Sequence, residues 1–200
     1  MYEYSETVSL KDGSQVTVRD TTIDDLDKSF DFFQAMSDEE RQYLRIDVCN
    51  KEIVRDRYHQ IELGKAIRLI AECHGQLVGE ATLETMRYGW LRKSGEVRLL
   101  ILPALCDLGL ERLMAREIFL LGARLGLNNL IARVMDMQQK TYAILSDLHF
   151  KHAATQKDHA CDADGKMHDV HLLTFSLKEM WRKMEDAIGE ADTSPLDTYY

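Results

Sequence analysis

Between Gly95 and Leu125 a strand-like run passes through a proline into a long helix-like run. After Arg98 the strand run is apolar on both faces, the pattern of a strand at the centre of a sheet that is covered on both sides. Pro103 ends it. From near Asp107, Leu110, Leu113, Met114, Ile118, Leu121 and Leu125 recur at helical spacing and form one apolar stripe, which Gly126 closes. A doubly covered strand feeding an amphipathic helix implies an α/β arrangement.

The flanking segments supply the other layers. Asp12-Gly13 is a turn signal, and Gln15 to Arg19 alternates with Val16 and Val18 on one face, as a first strand does. Thr21 or Thr22 caps a helix in which Leu26, Phe30 and Phe33 recur, with Asp24 and Asp25 in its first turn. Ser37 and Glu40 have the spacing of a capping box for a short second helix, and Asn50 precedes a third, with Ile53, Tyr58 and Ile61 inward. Ala66 to Cys73 and Gln76 to Met86 read as a hairpin around His74-Gly75. Asn129 to Met135 reads as a buried strand and Gln138 to Leu148 as a helix. Phe150 to Thr155 and Met167 to Leu177 read as a last strand pair, and a helix through Met180, Trp181 and Met184 closes the order. That order is βαααβββαβαββ, a mixed central sheet with helices on both faces.

At 200 residues with Pro103 and Pro195 as its only prolines and no repeat, the chain reads as one domain over residues 1–190 with a tail at 191–200. Its 34 acidic and 25 basic side chains leave a formal charge of −9, which repels nucleic acid and anionic membranes and weakly favours a cationic partner such as an amine. Cys49, Cys73, Cys106 and Cys161 lie far apart and read as reduced thiols. The polar N-terminus carries no secretory pattern, and no apolar run approaches the roughly 18 residues of a membrane span. A cytoplasmic location is expected.

The stretch from Ile101 to Glu111, read as Ile-Leu-Pro-Ala-Leu-Cys-Asp-Leu-Gly-Leu-Glu, resembles the acyl-CoA loop V-x-P-x-x-Q/R-x-x-G-x-G/A of the GNAT (general N-acetyltransferase) family. The element order around it is similar to that family along almost the whole chain. A helix N-terminus with unpaired N–H groups and an aligned dipole is a site for a pyrophosphate, and glycine lets phosphate approach the backbone. By resemblance, Ile101 and Leu102 would bond the pantetheine arm, while Pro103, Cys106, Asp107, Leu108, Gly109, Leu110 and Glu111 would form the turn around the pyrophosphate. Cys106 replaces Gln or Arg of the family pattern, and Glu111 replaces Gly or Ala. Together with Asp107, Glu111 can satisfy the helix dipole itself and repel an anion. The loop also reads as an ordinary strand, turn and helix with Asp107 and Glu111 as caps.

The resemblance implies acetyl-CoA as co-substrate and direct attack of an amine on the thioester. Glu96, in Gly95-Glu96-Val97, resembles the glutamate of the protein-lysine acetyltransferase branch and is the candidate general base. The family segment N-x-x-A-x-x-L-Y-x-x-x-G-F aligns with Gln138, Thr141, Ile144, Leu145, His149 and Phe150, so Leu145 stands at the usual tyrosine and Tyr142 is the substitute acid. Gln138 joins the cofactor-binding set at the head of that segment. Met36 to Arg45 is similar to the segment L-S-x-E-x-x-Y-x-R-F of the same branch, matching at Tyr43 and Arg45. The partners expected are an amine, as a small molecule or a protein lysine, and a second copy of the chain as a homodimer; nucleic acid and membrane are not expected. His159, Cys161, Asp162, Asp164, His168, Asp169 and His171 lack metal-site spacing and read as a hairpin turn about Asp164-Gly165, with no metal expected. The alternative to an enzyme is an inactive module that keeps the fold for acyl-CoA sensing or protein association.

Overall fold

The computed structural model describes residues 4–86, 88–105 and 107–182. Cys106, Met184 and the expected tail at 191–200 lie outside the described residues. Eight strands form one sheet in the order β1-β2-β3-β4-β5-β6-β8-β7. They are β1 (Ser5–Ser9), β2 (Gln15–Asp20), β3 (Ala66–Cys73), β4 (Gln76–Thr85), β5 (Ser94–Ile101), β6 (Asn129–Met135), β7 (Lys151–Cys161) and β8 (Met167–Ser176). Helices α1 (Leu26–Gln34), α2 (Asp38–Arg41) and α3 (Lys51–Glu62) stand between β2 and β3; α4 (Leu110–Arg124) joins β5 to β6, and α5 (Gln139–Asp147) joins β6 to β7.

Two apolar clusters fix the layers. Leu110, Met114 and Ile118 of α4 pack with Val16, Val18, Leu69, Leu83 and Leu130 of the sheet, as the stripe predicts. Phe32, Phe33, Val54 and Tyr58 of α1 and α3 form the second cluster with Ile70 and Leu77. The capping box forms as expected: Ser37 Oγ accepts the Glu40 N–H at 3.2 Å and the Glu40 carboxylate accepts the Ser37 N–H at 2.8 Å. In the last part of the sheet Phe119 stacks on Phe175 at 4.9 Å, with Phe150 5.5 Å from Phe175.

The structure corrects the sequence reading in three places. β1 was unexpected; it is an edge strand, exposed along most of its length, and so has no apolar alternation to announce it. β7 runs on to Cys161 through two bulges, because a polar segment on a sheet edge can be strand as readily as loop. Helix α4 begins at Leu110 rather than Asp107, since Asp107 (φ 72°) and Gly109 (φ 100°) both adopt left-handed backbone that no helix admits.

The sheet is antiparallel except between β5 and β6, whose parallel register holds only at Ser94/Asn129, Gly95/Leu130 and Glu96/Ile131. Beyond Glu96 the two strands separate. At the seam a Cβ on Gly95 would lie 2.6 Å from Leu83 Cδ1 and 2.8 Å from Leu127 Cδ1, so a side chain there would push against the packing that closes it.

Candidate active site

Two cavities open on the gap between β5 and β6. One, of about 100 Å³, is lined by Arg45, Arg57, Glu80, Arg98 and Arg133 among apolar neighbours. The other, of about 300 Å³, reaches from the gap to Ile101, Pro103 and Glu111 at the α4 end, with Met137, Lys140 and Ile144 opposite. Tyr43, Leu99, Leu100, Gln138, Thr141 and Leu145 line both, so the cavities meet at the divergence of the strands.

The free edge of β5 follows from register. Leu102 donates its N–H to Val78 O at 2.9 Å, and its carbonyl accepts the Leu105 N–H at 2.9 Å. Both backbone groups of Leu102 are therefore engaged within the protein. Antiparallel pairing alternates residue by residue, so if Leu102 bonds toward β4, Leu99 directs its N–H and C=O the other way, toward the gap. Ile101 lines the larger cavity; Leu102 packs against the core.

At the α4 end the turn is held from two sides. Lys11 Nζ donates to the Asp107 carbonyl at 2.9 Å, and Lys140 Nζ meets the Asp107 carboxylate at 2.9 Å. The side chain of Leu110 is fully buried and that of Leu108 packs on the same core, so both meet the gap only through backbone. Gly109 caps α4, and a Cβ there would meet nothing within 4 Å, which leaves the cradle open. Glu111 is buried, and its carboxylate accepts the Asp107 N–H at 2.8 Å. The acid thus occupies one donor of the turn.

The smaller cavity is backed by a charged network. Glu96 lies between Arg45 and Arg133 and pairs with both; it is not among the lining residues. Burial alone would raise its pKa, but the two guanidinium groups outweigh that and hold the carboxyl below its ordinary value. Glu80, almost fully buried, meets Arg57 at 2.5 Å and Arg68 at 3.1 Å, and there too the arginines overcome burial and keep the carboxylate ionised. Arg98 bonds Glu84 at 2.7 Å, and its guanidinium pKa is lowered by burial first, with Arg45 and Arg57 adding like charge. Among the described residues Arg68 Nη1, Arg98 Nε and Glu80 Oε2 are buried with no hydrogen-bond partner, and Glu96 Oε1 meets Arg45 only as an ion pair.

The candidate acid Tyr142 is placed elsewhere. Helix α5 presents Thr141 and Leu145, one turn apart, to the cavities, which rotates Tyr142 onto the His171 ring at 5.3 Å, edge to face. It lines neither cavity. The phenol at the junction is Tyr43. Gln138 lines both cavities, its Oε1 tied to the Met135 N–H at 3.0 Å. Sequence reasoning missed the arginine network, whose members are scattered over five segments; the match at Tyr43 and Arg45 was its one visible trace. In the last hairpin Asp162 accepts the N–H groups of Asp164 (3.0 Å) and Lys166 (2.9 Å), and His168 sits between Asp162 and Asp136. Among the described residues no group of three or more His, Cys, Asp or Glu is arranged to hold a metal, and no helix is long and apolar enough to cross a membrane.

No protein-family model matches the sequence, and no curated protein matches it. Solved structures do match. Mycobacterium smegmatis RimJ in complex with CoA-disulfide superposes with a TM-score of 0.72 at 15% identity, covering 88% of this chain and 88% of that one. The GNAT domain of S. lividans PAT gives 0.70 at 19% identity over 86% of this chain and 96% of that one. The chain has the GNAT fold. Spermidine N-acetyltransferase from Vibrio cholerae, in complex with CoA and spermine, shares the fold at a TM-score of 0.68 and 16% identity, over 81% of this chain and 95% of that one. On this GNAT frame β5 diverges from β6 beside the open turn at Gly109, with Lys11 and Lys140 next to that turn and the Glu111 carboxylate on its Asp107 N–H.

Proposed function

We propose that the protein is an acetyl-CoA-dependent N-acyltransferase acting on a primary amine. The observation that carries this reading is the meeting of two cavities at the diverging strands. One runs to the α4 turn; the other is separate, charged and suited to a second reactant. Solved structures of the same fold hold CoA or acetyl-CoA. Acetyl-CoA, when bound, supplies the acetyl thioester. The residues that would hold it are Leu99 and Ile101 along β5, the turn from Asp107 to Leu110 with Lys140 beside it, and Gln138 across the gap.

At the junction Tyr43 is the group of suitable type to give a proton to a departing thiolate. The arginine-lined cavity favours the neutral form of an amine over its ammonium, since nearby positive charge lowers an amine pKa. Glu96 enters this reading as the anchor of Arg45 and Arg133, because a carboxylate held by two guanidinium groups takes a proton weakly. Glu96→Gln separates that role from a base: loss of an anchor raises the acceptor KM, whereas loss of a base lowers kcat with KM unchanged. Tyr43→Phe is expected to lower kcat by about 10²-fold, the contribution typical of a positioned acid.

The test of the reading is binding followed by turnover. Millimolar CoA should raise the melting temperature, because a ligand that binds only the native state stabilises it by mass action. Thiol release from acetyl-CoA should then depend on an added amine. No shift and no amine-dependent release would sink the proposal. A second reading, an inactive module that senses acyl-CoA or binds a protein, is favoured by one observation, the Glu111 carboxylate on the Asp107 N–H; CoA binding without release under any amine would select it.

A further inference from the structure

The charge of the smaller cavity runs against the charge of the chain. In a protein of formal charge −9, its network sets Arg45, Arg57, Arg68, Arg98 and Arg133 against Glu80, Glu84 and Glu96, which leaves two positive charges in excess. Arg45 and Arg133 share the one carboxylate of Glu96, so neither guanidinium is matched one to one. Among the described residues Arg98 pairs with Glu84 alone, which is 42% exposed at its side chain and so is partly screened by water. A planar guanidinium carries five N–H donors, and one carboxylate contact leaves most of that fork for another acceptor. Arg45, Arg98 and Arg133 all line the cavity, with side chains between 33% and 39% exposed.

Such a site repels a bare cation. A polyamine or a lysine side chain brings only positive charge, which nothing in the lining offsets except Glu80, already held by Arg57 and Arg68. An anion, by contrast, meets two or three forks in a cavity of about 100 Å³. Resting on the acyltransferase reading, we propose that the acceptor is a small molecule carrying a carboxylate beside its primary amine, of amino-acid type, with the carboxylate held by Arg45, Arg98 and Arg133 and the amine turned toward Tyr43 at the junction. The arginines select the acceptor by its anion, and the same charge keeps its amine neutral for attack.

The experiment compares free amino acids with their C-terminal amides, with spermidine and with a lysine-containing peptide, in thiol release from acetyl-CoA by the full chain. The amide keeps the amine and removes only the anion. The expected result is a kcat/KM about ten-fold or more higher for at least one amino acid than for its amide, the discrimination that a charge-assisted hydrogen bond supplies. Arg133→Gln should erase that preference while the melting-temperature shift with CoA persists. Arg98→Gln, which leaves the Glu96 pair intact, serves where Arg133→Gln does not fold. Amides equal to their acids, or spermidine or the peptide as the best acceptor, would overturn the inference and leave the acyltransferase reading standing. CoA binding with no acceptor at all also counts against it, and absence of both CoA binding and release removes the reading on which it rests.

Discussion

The two cavities sit side by side on the same pair of strands, yet they are built from opposite materials. Around the smaller one, charge is concentrated, paired and partly buried, so its geometry depends on ion pairs that would cost a great deal to leave half-made. The larger one is lined by Leu99, Leu100, Ile101, Met137, Ile144 and Leu145 together with polar side chains from Glu40 and Tyr43 to Gln138, Lys140 and Glu111, and no arginine is among its described lining residues. On the proposed reading the contrast separates recognition from accommodation: the first cavity would discriminate by charge, and the second would receive a long flexible arm.

The largest effect should come from breaking the charged side. Glu80→Ala leaves Arg57 and Arg68 without their shared carboxylate in the protein interior, and a loss of about 3–5 kcal/mol in stability is expected, read from the urea midpoint. Next is the seam beneath both cavities. Gly95→Val drives new atoms against Leu83 and Leu127, and should cost about 1–3 kcal/mol in the same titration while lowering activity through misplacement of β6. A sharper test of the larger cavity is Glu111→Gln. It removes the anion from the turn but keeps the side chain's size, so CoA affinity should rise by roughly five-fold, about 1 kcal/mol, by calorimetric titration. If affinity falls instead, Glu111 organises the turn rather than competing in it.

The smallest effect lies away from both cavities and serves as their control. The hydrogen bond to Asp162 raises the His168 pKa, Asp136 adds to it, and burial opposes both. A raised folded-state pKa contributes stability that is fully present below the ordinary histidine value of about 6.5 and is lost as pH rises through the folded value. The melting temperature should therefore drift downward from pH 6 toward alkaline pH, and His168→Gln should flatten that drift without altering the acceptor preference. A change in preference would mean that the last hairpin communicates with the site.

Periodicity exposes elements that bury a face, and those were legible: the stripe of α4, the doubly covered β5 and the capping box at Ser37 all stand where the residues imply. β1 and the outer half of β7 were not, because edge strands bury little and alternate in nothing that can be read. The site divides the same way. Gly109 and Gln138 were expected from local pattern, and they stand at a turn and at a helix start, which are local matters. The arginine network was invisible because Arg45, Arg57, Arg98 and Arg133 come from separate segments, two of them outside the sheet, that only the tertiary fold brings to one cavity. Tyr142 illustrates the limit of substituting by proximity in sequence: one residue along a helix turns the side chain by about 100°, enough to exchange a cavity wall for a core contact.

Three residue pairs hold β5 to β6, and past them nothing in the register ties β1 to β5 to the remaining strands. Protection of backbone amides from exchange follows how cooperatively a segment is held, and among the described residues the stretch of β6 from Ala132 to Met135 has a strand partner on its β8 side alone. An acyl donor lying in that gap would act as a crossbrace, replacing the missing strand-to-strand bonds with its own, so that amide exchange along this stretch of β6 should slow on binding.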